Sequence, residues 1–190
     1  MHATIADAIA DTAQNSIEAG ASEITVSIKE DGSDIAVEIA DNGKGMCEET
    51  LKKVFDPFYT EEGKHERRKV GLGLPIIKQM CEMCDGAVEI ESTKGVGTRL
   101  SYRFSAGHID LPPMGDLAGT AITLFNYPGD FELTFFHGIG NRGYSVRKSE
   151  LIDAVGSLQT VEGMSLARDF LQSQEDDLAN RDLWGAILFR

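Results

Sequence analysis

The chain has 190 residues, 42% hydrophobic and 26% charged, with a formal net charge of −13, which suits a soluble globular protein with one ample core or a main domain plus a smaller appendage. The acidic balance argues against nucleic-acid binding, which rests on Lys and Arg, but leaves room for a small anionic ligand held by a local cationic patch. No run reaches the length of a membrane-spanning helix, and Met1-His2-Ala3-Thr4 lacks the character of a signal peptide, so a cytoplasmic location without membrane insertion is expected.

Along residues 3–19, Ile5, Ile9, Ala13 and Ile17 recur at helical spacing, and Asp7, Asp11, Asn15 and Glu18 share another face. Gly20 ends that helix. Ile24, Val26 and Ile28 alternate with polar residues, as do Ile35, Val37 and Ile39, and Asp31-Gly32 between them signals a hairpin with one buried face. Glu48 to Phe55 reads as a short helix. Residues 56–70 are polar and aperiodic, a mobile loop in which Lys64, Arg67, Arg68 and Lys69 gather positive charge against the acidic trend. Pro75 sits near the start of a helix that runs to about Cys84. Residues 87–92 and 98–104 form two strands around Gly95-Val96-Gly97. Beyond Ser105 the pattern changes. Pro112 to Asp116 reads as a connector, and residues 120–125, 131–137 and 143–147 as three strands with turns at Tyr127-Pro128-Gly129-Asp130 and Gly140-Asn141-Arg142-Gly143. A helix starts near Ser149 and another spans about 163–180. The apolar tail Trp184 to Phe189 docks on the body or on a partner.

Four segments carry chemistry in combination. Asp41-Asn42-Gly43-Lys44-Gly45-Met46 puts a carboxylate in a glycine turn, Gly71-Leu72-Gly73-Leu74 opens a helix, and Gly95-Val96-Gly97-Thr98 is a further glycine turn. Asn15 lies upstream on a polar helix face. Glycines let backbone approach a ligand, and helix N-terminal amides face phosphate oxygens. Each has a plainer reading: surface polarity for Asn15, a turn aspartate for Asp41, a strand-edge hydroxyl for Thr98, a solvated loop for the basic cluster. Cys81-Glu82-Met83-Cys84 has CxxC spacing inside an apolar-periodic helix. Buried structural thiols are favoured there, with redox response or metal binding as the alternative.

Taken together, these residues resemble the GHKL superfamily of ATP-binding proteins, which includes histidine kinases, MutL, type II topoisomerases and heat-shock chaperones. Asp11 to Ser16 is similar to its N-box, Asp41 to Met46 to G1, Phe55 to Thr60 to the F-box of histidine kinases, Gly71 to Leu74 to G2, and Gly95 to Thr98 to the terminal GxGT. The resemblance covers residues 3–105 and implies the Bergerat fold. That is an α+β fold, a two-layer α/β sandwich with a mixed sheet and helices on one face, followed over 106–190 by a small α+β extension of unknown role.

It also implies ATP and Mg²⁺ as cofactors. Asn15 would hold the metal, and Asp41 would accept from the adenine amino group, with Thr98 supporting that contact. Gly43, Gly45, Met46, Lys69, Gly71, Leu72, Gly73 and Leu74 would complete the nucleotide site. Asp11, one helical turn from Asn15, would activate water; an Asp is shorter than the Glu of other members, so slow hydrolysis is expected. Glu18 stands where many histidine kinases have Lys. Only His2 precedes the ATP domain, and His108 follows it in a loop, so a complete histidine kinase is not expected. The whole pattern, including His108 to Asp116, is similar to small stand-alone histidine-kinase-like proteins of anaerobic bacteria. The expected function is slow ATP hydrolysis or phosphoryl transfer to a partner protein acting in trans. The alternative is a non-hydrolysing ATP-sensing module that regulates a partner. The phosphoryl acceptor and the oligomeric state are open at this point.

Overall fold

The computed structural model describes residues 4–56 and 73–187. In chain order the elements are α1 (Ile5–Glu18), β1 (Glu23–Glu30), β2 (Asp34–Asp41), α2 (Glu48–Lys53), α3 (Gly73–Glu82), β3 (Ala87–Thr93), β4 (Gly97–Ser105), α4 (Leu117–Phe125), β5 (Glu132–Ile139), β6 (Arg142–Arg147), α5 (Lys148–Val155) and α6 (Val161–Ile187). Thr4 starts α1 with a capping box: the Asp7 amide donates to the Thr4 hydroxyl, and the Thr4 amide donates to the Asp7 carboxylate, each at 3.0 Å.

The strands form one mixed sheet in the order β3-β4-β2-β1-β5-β6. The pair β1–β5 is parallel, and the remaining pairs are antiparallel. Strict alternation decides what faces the core. Ile24, Val26 and Ile28 pack beside Ile35, Val37 and Ile39, then beside Leu100, Tyr102 and Phe104, and on the other side beside Leu133 and Phe135, all buried. Helices cover this face and join it in one apolar core, with Ile5, Ile9, Ile77, Phe125, Leu151 and Leu171 among their contributions. The opposite parity carries exposed charge, including the pairs Arg99–Glu38 at 2.8 Å and Arg147–Glu132 at 3.6 Å. The expected two-layer α+β architecture is therefore present.

One expectation fails. Residues 120–125 lie in the helix α4, not in a strand. Asp116 caps it, its carboxylate accepting from the Gly119 amide at 2.7 Å, and six of its nine residues are buried between α1 and α6. A short continuous apolar run has no period that separates a buried strand from a buried helix; the cap decides it. Helix α6 also extends past the expected 163–180, so residues 184–187 continue it. Pro57 to Thr60, Lys64, Arg67, Arg68, Lys69, Gly71, Leu72, Leu188 and Phe189 lie outside the described residues.

The segment after Ser105 adds to the same sheet, because β5 hydrogen-bonds to β1 along its whole length. The connector is pinned to α1: the amides of Ile5 and Ala6 donate to the carbonyls of Pro113 and Met114 at 3.0 and 2.8 Å. Helix α6 is held to the sheet by a buried polar cluster. His137 on β5 is 3% exposed; its Nε2 meets Glu30 at 2.9 Å and its Nδ1 meets Glu175 of α6 at 3.0 Å, while Tyr144 on β6 donates to Glu175. Burial alone would depress the His137 pKa. The hydrogen bonds and charges of Glu175 and Glu30 outweigh it and raise the pKa to about 9 from 6.5. A group raised on folding stabilises fully below its unfolded pKa, and that contribution disappears as pH rises through the folded one. Thermal melts from pH 6.5 to 10 are therefore expected to show a progressive loss in the wild type that is flattened in His137→Phe. A parallel pH dependence in both proteins would refute the assignment.

Candidate functional site

The site begins where the core ends. Ile39, Leu100 and Ile90 lie side by side on β2, β4 and β3; two residues further along each strand, with the same parity, stand Asp41, Thr98 and Ser92. Thr98 is directly opposite both Asp41 and Ser92. The apolar floor thus gives way to a polar row beneath the C-terminal half of α1. Ser16, on the buried face of α1, donates to Asp41 Oδ2 at 2.6 Å, and the Gly43 amide donates to Oδ1 at 2.9 Å. A carboxylate accepts at about four lone-pair positions. Asp41 therefore keeps acceptor capacity toward a ligand after both bonds are made.

Two glycine turns close on each other beside this row. The Lys44 amide donates to the Ala19 carbonyl at 3.0 Å, and the Gly95 amide donates to the Lys44 carbonyl at 2.8 Å. Gly45 has φ +58°, and a Cβ there would meet the Thr93 carbonyl at 2.0 Å. Gly97 has φ +141°, and a Cβ there would meet the Asp41 carbonyl oxygen at 1.9 Å. Glycine is required at both positions by backbone angle and by space. Met46 joins the network through its amide, which donates to the Ser92 hydroxyl at 2.8 Å.

Along α1 stand the other candidates. Asp11 and Asn15 are half-buried. The Asp11 carboxylate abuts the first turn of α3: a Cβ on Gly73 would fall 2.2 Å from Asp11 Oδ2. Among the described residues the Asn15 side chain has no hydrogen-bond partner. Glu18 is turned aside, accepting from Gln14 at 2.8 Å. Leu74 packs on the edge of the core. The fold thus brings Asp41, Gly43, Gly45, Met46 and Thr98 together, and sets Asp11 against Gly73 with Asn15 one helical turn along. Lys69, Gly71 and Leu72 lie outside the described residues.

Among the described residues no three His, Cys, Asp or Glu side chains gather as a metal cage. Asn15 supplies one neutral oxygen donor. That set fits a Mg²⁺ that keeps waters and takes further ligands from phosphate, not a resident ion in an all-protein cage.

Sequence reasoning missed Ser92 and the contact of Ser16 with Asp41. Ser92 accepts from Met46, donates to the Gly97 carbonyl at 3.0 Å and lies 2.9 Å from the Thr98 hydroxyl. The available signal was parity: Ser92 continues the face of Val88 and Ile90. The CxxC thiols are both buried. Desolvation raises the Cys81 pKa to about 12, and the Cys84 thiol donates to the Asp110 carbonyl at 3.3 Å, which favours the structural reading over redox response. His108 is tied into the connector, its Nδ1 accepting from the Asp110 amide at 3.1 Å.

Residues 3–108 match the family described as histidine kinase-, DNA gyrase B- and HSP90-like ATPase. The chain is 35% identical over 65 residues to the sensor histidine kinase YxdK of Bacillus subtilis (strain 168), covering 34% of this chain and 20% of that protein. It is 36% identical over 87 residues to sporulation kinase C of the same strain, covering 45% and 19%. The chain thus spans about a fifth of the length of these relatives. Among solved structures, the N-terminal domain of a DNA repair protein superposes with a TM-score of 0.55 at 16% identity, covering 85% of this chain and 58% of that one, a likeness of fold. Among the described residues no helix is long and apolar enough to cross a membrane.

Proposed function

Because this chain belongs to the histidine kinase-, DNA gyrase B- and HSP90-like ATPase family, we propose that it binds ATP with Mg²⁺ and slowly transfers the γ-phosphoryl group to water or to a partner protein in a signalling role. The observation that carries this reading is the Asp41 carboxylate, held by Ser16 and Gly43 at the rim of the core beside two interlocked glycine turns. In this reading Asp41 accepts a hydrogen bond from the adenine amino group, Thr98 sits opposite as a second polar contact, and Gly43, Gly45 and Met46 let the base lie against backbone. The triphosphate runs toward Gly73, Leu74 and the N-terminal end of α3, where amides and the helix dipole favour anions. Lys69, Gly71 and Leu72 complete that phosphate contact as part of the proposal.

Asn15 is the residue proposed to hold Mg²⁺. When bound, the ion supplies charge neutralisation at the phosphate oxygens. Asp11 is proposed to orient and deprotonate the attacking water. The bond between the γ-phosphorus and the bridging oxygen breaks, ADP leaves, and the water or a partner side chain gains the phosphoryl group. A side-chain acceptor would make the protein a kinase acting in trans. Residues 1–105 form the proposed nucleotide-binding part, and 106–190 are proposed to couple the site to a protein partner through elements built onto the same sheet.

Phosphate release tests the water-base role. General-base removal typically costs ~10²–10⁴-fold. Asp11→Asn is therefore expected to slow phosphate release by at least about 100-fold while leaving ATP affinity within a few-fold. An unchanged rate in the variant would remove Asp11 from the chemistry. Binding with no release by the wild type would favour the second reading, an ATP-sensing module.

A further inference from the structure

The three contacts of the Ser92 hydroxyl over-determine where its proton lies. The Met46 amide is a donor only, so at 2.8 Å it must give its proton to Ser92 Oγ. The Gly97 carbonyl is an acceptor only, so at 3.0 Å it must receive the single Ser92 proton. The remaining contact, 2.9 Å to Thr98 Oγ1, is then favourable only with Thr98 as donor into the second Ser92 lone pair. The reverse assignment would set two acceptors 3.0 Å apart at the Gly97 carbonyl. In the consistent arrangement the Thr98 proton is spent on Ser92, and Thr98 presents lone pairs alone.

Thr98 stands directly opposite Asp41. The polar row therefore offers two acceptors at the same level and no hydroxyl proton. We propose that Ser92 is a positioning residue that locks the Thr98 hydroxyl as an acceptor and thereby sets the preference of this site for purines with a 6-amino group over 6-oxo purines. The inference rests on the ATP-binding reading and deepens it. A 6-amino group brings two N–H donors to two acceptors. A 6-oxo group brings a further acceptor, and a site built to accept hydrogen bonds rejects it strongly. Without Ser92 the Thr98 hydroxyl can rotate and donate to a 6-oxo group, so part of that rejection disappears.

The test compares ATP and inosine triphosphate, which differ at the 6-position and the adjacent ring nitrogen, by calorimetric titration with Mg²⁺. The proteins are wild type, Ser92→Ala, Ser92→Thr and Asp41→Asn. The ATP:ITP affinity ratio is expected to fall about 10-fold in Ser92→Ala, the size of one ordinary hydrogen bond, and to stay within about twofold of wild type in Ser92→Thr, which keeps the hydroxyl. A purely structural role would weaken both nucleotides in parallel. An unchanged ratio in Ser92→Ala therefore overturns the inference. Should Ser92→Ala not fold, Ser92→Cys keeps the shape with a weaker donor and is held to the same criterion: a fallen ratio supports the role and an unchanged one overturns it. Wild-type ATP binding that is weakened in Asp41→Asn, together with an unchanged ratio at Ser92, would sink only the positioning role. No ATP binding by the wild type would sink the functional reading and this inference with it.

Discussion

Asp41→Ala is expected to lower ATP affinity by about 100-fold, the result expected when one charge-assisted hydrogen bond of ~1.5–3 kcal/mol is lost from a desolvated site. Asp41 stands where β2 leaves the core, on the parity of Ile35, Val37 and Ile39. Its carboxylate is positioned before any ligand arrives, by Ser16 at 2.6 Å and the Gly43 amide at 2.9 Å. Preorganisation of this kind lowers the ordering cost of binding. Alanine removes the acceptor and also leaves the Ser16 hydroxyl and the Gly43 amide to find water. A modest stability loss of about 1–2 kcal/mol should accompany the binding defect. Asp41→Asn retains one oxygen for those two donors, so it should fold better than alanine and still bind ATP weakly. Titration and thermal melts on the same samples separate the two effects. ATP affinity within twofold of wild type in Asp41→Ala would contradict the role.

Gly97→Ala should be the most damaging single-methyl change in the site. A Cβ there would lie 1.9 Å from the Asp41 carbonyl oxygen and 2.9 Å from the Asn42 Cα, both backbone atoms, on a residue with φ +141°. Side-chain motion cannot relieve that clash, so β2 and β4 must separate where Asp41 faces Thr98. A loss of about 3 kcal/mol is expected, a fall in Tm of roughly 6–12 °C for a chain of this size, together with loss of ATP binding. Gly95→Ala is the matched control. Gly95 has φ +78°, but nothing lies within 4 Å of its added Cβ. It should cost only the left-handed strain of about 1–2 kcal/mol, a shift of roughly 2–8 °C, and should retain nucleotide. Equal effects at the two positions would show that backbone angle alone, and not the contact between strands, governs the turn.

How far the sequence could be read depended on whether a residue's signal was local. The hairpin β1–β2 was legible because Ile24 to Ile28 and Ile35 to Ile39 alternate without interruption around Asp31-Gly32. The same parity, carried two residues further, puts Asp41 on the core face. The α4 segment was not legible in the same way, since Leu117 to Phe125 is apolar on nearly every side and only the Asp116 cap marks it as a helix. Parallel pairing of β5 with β1 joins residues more than a hundred positions apart, and no local pattern announces it. Ser92 reads as an ordinary polar residue in a strand; its importance comes from Met46, Gly97 and Thr98 converging on one hydroxyl. His137 shares the buried parity of Leu133 and Phe135, but the carboxylates that satisfy it, Glu30 and Glu175, arrive from β1 and α6. The glycine turns were legible individually, but their mutual closure through Lys44 and Gly95 appears only in the fold.

The proposed function stands or falls with ATP binding at the row Asp41–Thr98–Ser92 and the glycine turns beside it. Calorimetric titration of the wild-type chain with ATP, with and without Mg²⁺, decides it. Saturable binding at one site per chain is expected, strengthened by Mg²⁺ if, as proposed, the ion is shared between phosphate and Asn15. Absence of a saturable heat with or without Mg²⁺ would overturn the ATP-binding reading and leave the interlocked glycine turns as a device for closing the sheet.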